Sequence, residues 1–308
     1  MKHTENDNLP GGIIAIDKPC GFTSFDVVNK LRRLYNTSRI GHTGTLDPLA
    51  TGVLVVLIGR AAKACEYVSS DSKRYTATLK LGLVTDSEDT TGNILSVYDK
   101  AFPSYEQVVD ACKSFVGRIT QIPPMYSAIK VNGKKLCDLA RQGKVIEREG
   151  REIEIFSIDC RVANNPNEYI LDVKCSGGTY IRTLCSDIGA ALGCGGVMSA
   201  LRRTEANGIS IESAYTISQI ESMTEEERIL KMLPTQTLFS DYQAVRLPKF
   251  FERLCRDGCP IYQKKIKTSI NLGQTVRLCD ESGNFFALGK SMEYEGEPVI
   301  KAQKIFVI

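Results

Sequence analysis

The chain has 308 residues, of which 43% are hydrophobic and 24% are charged, and its formal net charge is +3. This length suits about two domains of roughly 150 residues each, and the composition excludes a disordered, collagen-like or coiled-coil chain. The longest uninterrupted apolar run, VLVVLI at residues 53–58, is far shorter than the ~20 residues that a membrane-spanning helix needs.

The N-terminus and the cysteines both indicate the cytoplasm. Residues 1–12, MKHTENDNLPGG, are polar where a secretory signal would be basic and then apolar. The 11 cysteines form no CxxC pair, and we predict that they are free and mostly buried. Only His3 and His42 are histidines, so a His-rich metal site or a Ser/His/Asp triad would depend on His42 alone, and we predict no metal site.

Hydrophobic periodicity predicts several elements in chain order. They are a helix at 24–35, a strand at 73–83, a helix with a capping box at 104–117, a strand pair at 151–160 and 168–176, and a helix at 179–192 that stops at Gly193. Because helices and strands are interspersed without a regular βαβ rhythm, we predict an α+β fold with a mixed, largely antiparallel sheet. Beyond a boundary near residue 238, short β-like runs predict a small all-β domain at 239–308.

Positive charge is concentrated in one stretch, residues 128–151, which carries a net +4 from seven basic and three acidic residues. The basic residues are Lys130, Lys134, Lys135, Arg141, Lys144, Arg148 and Arg151. Two interpretations fit this pattern: a solvated surface loop, or an arm that grips a phosphate backbone.

The most unusual segment is residues 41–52, GHTGTLDPLATG. Its three glycines and its proline predict a specific loop, in which Asp47 has apolar Leu46 and Leu49 as neighbours. Asp before Pro commonly starts a turn through its side chain, so a structural role and a catalytic role both remain open. The chain has no GxxxxGK or GxGxxG motif, which argues against a nucleotide site.

Arg182 lies in the first turn of the predicted helix at 179–192, where the helix dipole disfavours a cation. Solvent or a surface ion pair could satisfy it, and so could a bidentate carboxylate. If Asp47 is that partner, we expect the guanidinium to hold the pKa of Asp47 below its usual range despite burial. The carboxylate would then stay ionised and nucleophilic at neutral pH.

Four segments of the chain together resemble a known family. They are GIIAIDKPCGFTS (12–24), GHTGTLDPLATGVLVVLIGRAAK (41–63), KRYTATLKLGL (73–83) and KCSGGTYIRTL (174–184). In this order they resemble the signature blocks of the bacterial tRNA pseudouridine-55 synthase family, TruB type. The resemblance implies an isomerase without a cofactor that detaches a uracil from its ribose in the T-arm loop of tRNA, turns it and rejoins it through C5.

The resemblance also implies roles for individual residues. Asp47 matches the catalytic aspartate, Tyr75 the tyrosine that stacks on the target base, and Arg182 the arginine that pairs with the aspartate. Leu201 matches an apolar residue of the uracil pocket, His42 a histidine that stacks where the flipped base has left, and Lys18 a residue that fixes the loops around the site. Without the resemblance, the pattern favours Tyr75 as a sheet aromatic, Leu201 as core and Lys18 as part of a surface turn.

In family terms the basic stretch falls in an inserted segment, residues 121–150, which we call the thumb. The resemblance implies that it closes on the T-arm, with Lys130, Lys134 and Lys135 binding the RNA, and that it contains a short helix at 136–142. Residues 239–308 resemble the compact PUA-like RNA-binding domain of this family, directed toward the acceptor stem. We expect a monomer.

Three functions compete at this stage. The first is a stand-alone tRNA uridine isomerase, and the second is an RNA-folding protein in which Asp47 is structural. The third is the guide-RNA-dependent relative of archaeal and eukaryotic ribonucleoproteins. The thumb and the compact C-terminal domain argue against the third, because those relatives lack the former and carry a longer RNA-binding module.

Overall fold

The structure is a computed structural model, and it describes residues 9–68, 72–131 and 133–306. The side chains of Lys130 and Lys135, and the tail that contains His3, lie outside the described part. The strands are β1 (Gly12–Lys18), β2 (Ile40–His42), β3 (Thr51–Ile58), β4 (Lys73–Leu81), β5 (Leu83–Thr85), β6 (Ile94–Val97), β7 (Gly117–Gln121), β8 (Lys130–Val131), β9 (Lys134–Lys135), β10 (Arg151–Val162), β11 (Glu168–Cys175), β12 (Gly196–Ala206), β13 (Ile209–Ser210), β14 (Tyr215–Thr216), β15 (Leu233–Pro234), β16 (Ala244–Arg246), β17 (Ile261–Tyr262), β18 (Thr275–Cys279), β19 (Phe285–Tyr294) and β20 (Glu297–Ile305).

The α-helices separate these strands at irregular intervals. They are α1 (Ser24–Leu34), α2 (Tyr105–Ser114), α3 (Leu136–Arg141), α4 (Ile181–Ala191), α5 (Ile217–Ser222), α6 (Glu225–Leu230) and α7 (Lys249–Arg256). Four 3₁₀ segments complete the described elements, at Gly59–Tyr67, Ile211–Ser213, Thr235–Phe239 and Gln263–Ile266.

An 11-stranded sheet forms the body of the molecule, in the order β14-β1-β3-β12-β4-β11-β10-β7, with β2, β13 and β15 paired at its sides. The pairs β1–β14 and β3–β12 are parallel, whereas the other strands of this path pair antiparallel. This confirms the predicted α+β fold with a mixed, largely antiparallel sheet.

The apolar run at 53–58 is explained by its place in the sheet. On one face of β1 and β3, Leu54 and Val56 pack against the apolar side of α1. On the other face, Val53 and Val55 pack in a cluster that includes aromatic residues from the C-terminal part of the chain. A strand buried on both faces needs apolar residues at every position, so β3 shows no alternation.

The helices begin and end close to where the sequence predicts. Thr23 caps α1 in a reciprocal capping box with Asp26, and Ser104 caps α2 in the same way with Gln107. Helix α4 is followed by Gly193 at φ +70°, a left-handed position that favours glycine. The strand predicted at 73–83 ends earlier, at Leu81, and the chain then continues into the separate hairpin of β5 and β6.

The C-terminal part forms a second, five-stranded sheet in the order β16-β18-β19-β20-β17. This sheet has its own buried cluster, including Leu278 and Phe286. It also carries the amphipathic helix α7, which the prediction of an all-β domain at 239–308 did not include. Phe239 joins the two sheets, because its ring packs against Phe285 and Phe306 at centroid distances of 5.9 and 5.8 Å.

The thumb leaves the large sheet after β7 and returns at β10, and it contains the β8–β9 pair and α3. Helix α3 is the short helix predicted at 136–142. Its buried side chain is Leu136, whereas Lys134 and Lys144 are exposed. All 11 cysteines are free, as predicted. Within the described ranges, no helix is both long and apolar enough to cross a membrane.

Candidate active site

The Asp47 loop, residues 43–50 between β2 and β3, is tied down by neighbouring segments. The buried hydroxyl of Ser24, at the start of α1, donates to the Leu46 carbonyl at 3.1 Å and accepts from the Leu46 amide at 2.8 Å. The amide of Gly21 donates to the Pro48 carbonyl at 2.8 Å. These bonds hold both sides of Asp47 in place without using its carboxylate.

Arg203, on β12, holds the other side of the same loop. Its guanidinium is buried and donates to the carbonyls of Val53 at 2.7 Å and Gly44 at 3.0 Å. The backbone of Arg203 also passes so close to Gly52 that a Cβ at Gly52, which has φ +101°, would lie 2.2 Å from the Arg203 carbonyl oxygen. Glycine is therefore required where the Asp47 loop enters β3.

Asp47 and Arg182 meet directly. Nε of Arg182 lies 2.9 Å from Oδ2 of Asp47, and the Arg182 side chain is 5% exposed against 35% for Asp47. The same guanidinium donates to the carbonyls of Ser87 at 2.9 Å and Tyr126 at 2.7 Å. Of the partners that the sequence left open for Arg182, the structure places a carboxylate there, and the arginine is fixed by three separate segments.

A second carboxylate, Asp89, lies behind this pair. Its Oδ2 is 3.8 Å from Arg182, and its Oδ1 accepts hydrogen bonds from the hydroxyls of Ser87 and Thr91 at 2.7 and 2.6 Å. Asp89 is buried. Asp47 and Asp89 therefore both lie near one buried guanidinium, and Asp89 also accepts hydrogen bonds from two hydroxyl groups.

The expectation that Arg182 holds the pKa of Asp47 below its usual range is wrong. Burial raises the pKa of Asp47 above its ordinary value and outweighs the opposing effect of Arg182, while the charge of Asp89 raises it further. The physical reason is that Arg182 lies near two carboxylates, so it stabilises the ionised form of Asp47 less than it would in an isolated pair. Burial, in contrast, disfavours the ionised form of Asp47 in full.

Asp47 faces a cleft with two connected compartments. The inner compartment has a volume of about 260 Å³, and Tyr75, Leu201, Lys73 and Thr179 line it together with Asp47. The outer compartment has a volume of about 620 Å³, and His42, Phe25, Asn93 and Arg141 line it together with Asp47. The wall shared by both consists of Thr45, Leu46, Asp47, Tyr126, Ser127, Ala128 and Arg182.

The structure brings Tyr75 and Leu201 together on adjacent strands of the inner compartment. Tyr75 on β4 is 6% exposed and Leu201 on β12 is 8% exposed. In the pairing of these strands Leu201 lies opposite Ala77, two residues from Tyr75, so both side chains point to the same face of the sheet. Burial raises the pKa of Tyr75, which keeps the phenol protonated at neutral pH. Together with Asp47 they line the inner compartment.

His42 and Lys18 lie outside the inner compartment. His42 lines the outer compartment, and its Nδ1 is buried without a hydrogen-bond partner in the described part of the chain. Burial, with a smaller contribution from Arg203, lowers the pKa of His42, so a neutral ring faces the cleft. Lys18 is fully buried, and its ammonium donates to the carbonyls of Pro19 at 3.0 Å and Phe22 at 2.6 Å. Lys18 therefore fixes the turn before α1 rather than facing a ligand.

Of the predicted lysines of the thumb, the structure describes the side chain of Lys134 alone. Lys134 is exposed on β9, and the side chains of Lys130 and Lys135 lie outside the described residues. Five described residues of the thumb line the outer compartment: Tyr126, Ser127, Ala128, Cys137 and Arg141. No cluster of three or more His, Cys, Asp or Glu side chains suited to a metal ion is found across residues 9–68, 72–131 and 133–306.

Sequence reasoning missed four residues that build the site: Asp89, Arg203, Ser24 and Ser127. Two signals were available, namely the acidic run TDSEDTTG at 85–92 and the second arginine of SALRRT at 199–204. Ser24 had no signal beyond its place at the start of the predicted helix at 24–35. Ser127 had no signal, because only the folded chain brings it beside Asp47 and Arg182.

Comparisons with known proteins agree with this architecture. The profile described as "TruB family pseudouridylate synthase (N terminal domain)" matches residues 32–181, and "tRNA pseudouridylate synthase B C-terminal domain" matches residues 182–239. The tRNA pseudouridine synthase B of Clostridium tetani is 40% identical over 291 residues, covering 94% of this chain and 98% of its own length. That of Alkaliphilus oremlandii is 43% identical over 267 residues, covering 86% and 88%.

Solved structures show the same fold at lower identity. A chain of the Cbf5–Nop10–Gar1 complex aligns with a TM-score of 0.74 and 24% identity over 96% of this chain and 85% of that chain. The long match to curated relatives determines the family, whereas this structural likeness supports the fold alone. The protein belongs to the TruB family of tRNA pseudouridine synthases, and it isomerises uridine to pseudouridine in tRNA.

Proposed function

We propose that the protein acts on uridine 55 in the T-arm loop of tRNA, that it flips the uridine out of the loop into the inner compartment, and that Asp47 carries the chemistry. The observation that supports this most strongly is the contact between Asp47 and the buried Arg182 at the edge of a pocket lined by Tyr75 and Leu201. An acid that only started a turn would not need a buried guanidinium held by three segments.

The reaction is balanced without a co-reactant. The N1–C1′ bond of the nucleotide breaks, the uracil turns, and C5 forms the new bond to C1′. The proton lost from C5 is matched by the proton gained at N1, so uridine and pseudouridine have the same atoms. We propose that no cofactor takes part. Attack by Asp47 on the ring, attack on the sugar, and stabilisation of positive charge at C1′ all require an ionised carboxylate beside this bond.

Tyr75 and His42 offset the cost of extracting the base. Removing a base from a folded loop costs a few kcal/mol, and stacking on one aromatic ring returns about 1–3 kcal/mol. Tyr75 stacks on the uracil in the inner compartment, against Leu201 on the neighbouring strand. The neutral ring of His42, in the outer compartment, fills the gap left in the T-loop. Asp47 lines both compartments, which suits a base that moves from one into the other.

In this proposal the thumb binds the phosphates of the T-arm through its basic residues, among them Lys130, Lys134 and Lys135. The domain at 239–308 reaches toward the acceptor stem. Residues 1–238 form the catalytic domain. This arrangement provides its own RNA contacts, so we propose that the protein acts as a monomer without a guide RNA. We also place it in the cytoplasm, since all 11 cysteines are free, as a reducing compartment favours.

Stand-alone activity on tRNA can be tested with two components. The pure protein is incubated with an unmodified tRNA transcript and no other RNA, and pseudouridine is mapped along the transcript. We expect modification at position 55 alone. Modification elsewhere would contradict the target, and modification only after a guide RNA is added would contradict stand-alone action. If the protein refolded tRNA but left every uridine unchanged, it would be an RNA-folding protein instead.

A further inference from the structure

Ser127 is a buried polar residue whose hydroxyl nothing in the site uses. It lies at the root of the thumb, and the residue is 5% exposed. It belongs to the wall shared by the inner and outer compartments, with Asp47 and Arg182. Its Oγ is buried and makes no hydrogen bond in the part of the chain that the structure describes. Buried hydroxyls are normally paired, so this one needs an explanation.

The groups around Ser127 are already committed to other partners. The carbonyl of the preceding residue, Tyr126, accepts from Arg182 at 2.7 Å. The carbonyl of Ser127 itself accepts from the Cys137 amide at 3.1 Å, which ties the thumb root to α3. The free enzyme therefore holds the Ser127 backbone firmly and leaves its hydroxyl without a partner among the described residues. A hydroxyl left unpaired in this way lowers stability, which is compensated if the substrate brings the partner.

The position of Ser127 indicates which part of the substrate supplies this hydrogen-bond partner. This step rests on the proposed function, in which the base enters the inner compartment and the rest of the loop lies over the outer one. The ribose of the target nucleotide joins these two parts, so it lies beside the residues that line both compartments. Asp47 must reach C1′ at this place. Among the hydroxyls of the shared wall, the one on Ser127 is buried and has no partner in the part of the chain that the structure describes. A ribose offers its 2′-hydroxyl there as both donor and acceptor, which matches the capacity of serine.

We propose that Ser127 binds the target ribose through a hydrogen bond between its Oγ and the 2′-hydroxyl, and thereby positions C1′ against Asp47. Ser127 Oγ is buried in the free protein, so the proposal includes a change of its χ1 to another staggered position when the ribose binds. No covalent bond forms or breaks in this contact. Its contribution is to fix the sugar, as Tyr75 fixes the base.

A double-mutant cycle tests the contact. Ser127→Ala is combined with a T-arm stem-loop RNA that carries 2′-deoxyuridine at the target position, and dissociation constants are measured in an Asp47→Asn background so that the RNA is not turned over. We expect Ser127→Ala to weaken binding of the uridine RNA about three- to tenfold. We expect the 2′-deoxy RNA to bind the parent protein more weakly by the same factor, and the combination to cost no more than either change alone.

Two further measurements separate this contact from a structural role. Because Ser127 Oγ has no partner within the described residues, Ser127→Ala should leave the melting temperature of the free protein unchanged or raise it. Thr204→Val is the matched control: Thr204 Oγ1 is also buried and unpaired in the described part, yet Thr204 lines neither compartment, so its removal should not change RNA binding. Additive effects in the cycle, or a lower melting temperature with unchanged binding, would overturn the proposal.

Failure of this inference differs from failure of the proposed function. If Asp47→Asn still converts uridine, the catalytic assignment is wrong whatever the cycle shows. If Asp47→Asn is inactive and the Ser127 and 2′-hydroxyl effects simply add, the assignment of Asp47 stands and the ribose contact is wrong.

Discussion

The Asp47 loop and the thumb are both irregular segments inserted between strands, and they are built in opposite ways. The loop at 43–50 is held by Ser24, Arg203 and Arg182, and its fixing bonds are buried or partly buried. The thumb is held at its root, where Gln121 exchanges two hydrogen bonds with the backbone of Tyr180, and its basic residues Lys134 and Lys144 are exposed. The fold therefore fixes the loop for which we propose the chemistry and leaves exposed the thumb lysines for which we propose RNA binding.

The largest effect should come from loosening the fixed region at Arg182. Arg182→Lys keeps the charge but cannot reach Asp47, Ser87 and Tyr126 together. We expect the single-turnover rate to fall about 100-fold, because displacing a catalytic group by a small distance has an effect of that size. The control is Arg74→Lys, which alters an exposed Arg–Asp pair of similar length, 2.7 Å to Asp172, and should leave the rate unchanged. Equal rates for Arg182→Lys and the parent protein would show that the guanidinium geometry is irrelevant.

A pH profile tests the electrostatics of the same region. Activity requires the ionised form of Asp47, so the rate should fall about tenfold per pH unit once the pH drops below its pKa. Burial raises this pKa above the ordinary value of 3.8, and Asp89 adds to the rise. Asp89→Asn removes that contribution, so the acid limb of the single-turnover rate should move to lower pH. A shift to higher pH, or no shift, would contradict this account of Asp47.

The contribution of the thumb to tRNA binding should depend on the salt concentration rather than on pH. Replacing Lys134 and Lys144 by Ala removes two exposed charges, and we expect the slope of log Kd for tRNA against log salt to become smaller by about 2, one for each phosphate that is no longer neutralised. Lys100→Ala with Lys113→Ala removes the same charge from exposed positions that do not line the cleft. An equal change of slope for both pairs would mean that the thumb is only a solvated loop.

The smallest of these effects concerns the tether of the Asp47 loop, by which we mean the two hydrogen bonds between the Ser24 hydroxyl and the backbone of Leu46. Ser24→Ala leaves the amide and the carbonyl of Leu46 without their side-chain partner, which should cost about 1–3 kcal/mol of the free energy of unfolding. Ser114→Ala removes an exposed hydroxyl that donates to Ala111 and should cost far less. Chemical denaturation of both variants measures the difference, and equal destabilisation would show that the tether contributes nothing specific.

Local patterns were sufficient for much of the fold, because capping boxes, strand alternation and turn residues act over a few positions. The helix at Ser104 and the strand that carries Tyr75 were predictable for this reason. Asp47 and Arg182 were identifiable as unusual from their neighbours alone. The burial of Arg203 was not, since an arginine within a strand is normally expected to be exposed. Nor was the position of Asp89, because only the folded chain brings it behind Arg182.

The pKa of Asp47 was mispredicted for a related reason. The sequence indicated one acid and one base, for which attraction favours the ionised acid. The structure adds a second acid, Asp89, and the burial of Asp47, and both raise the pKa of Asp47. Considering Asp47 and Arg182 as an isolated pair therefore identified the right partners but predicted the wrong direction for the pKa shift of Asp47.

In the proposed mechanism, the carboxylate of Asp47 acts on the target nucleotide while other groups bind the RNA. Asp47→Asn keeps the size of the side chain and removes its charge, so the most direct measurement is pseudouridine formation by this variant in an unmodified tRNA transcript, with the Kd for the same tRNA measured in parallel. We predict no detectable product and a Kd within a few-fold of the parent protein. Normal turnover by Asp47→Asn would contradict the account.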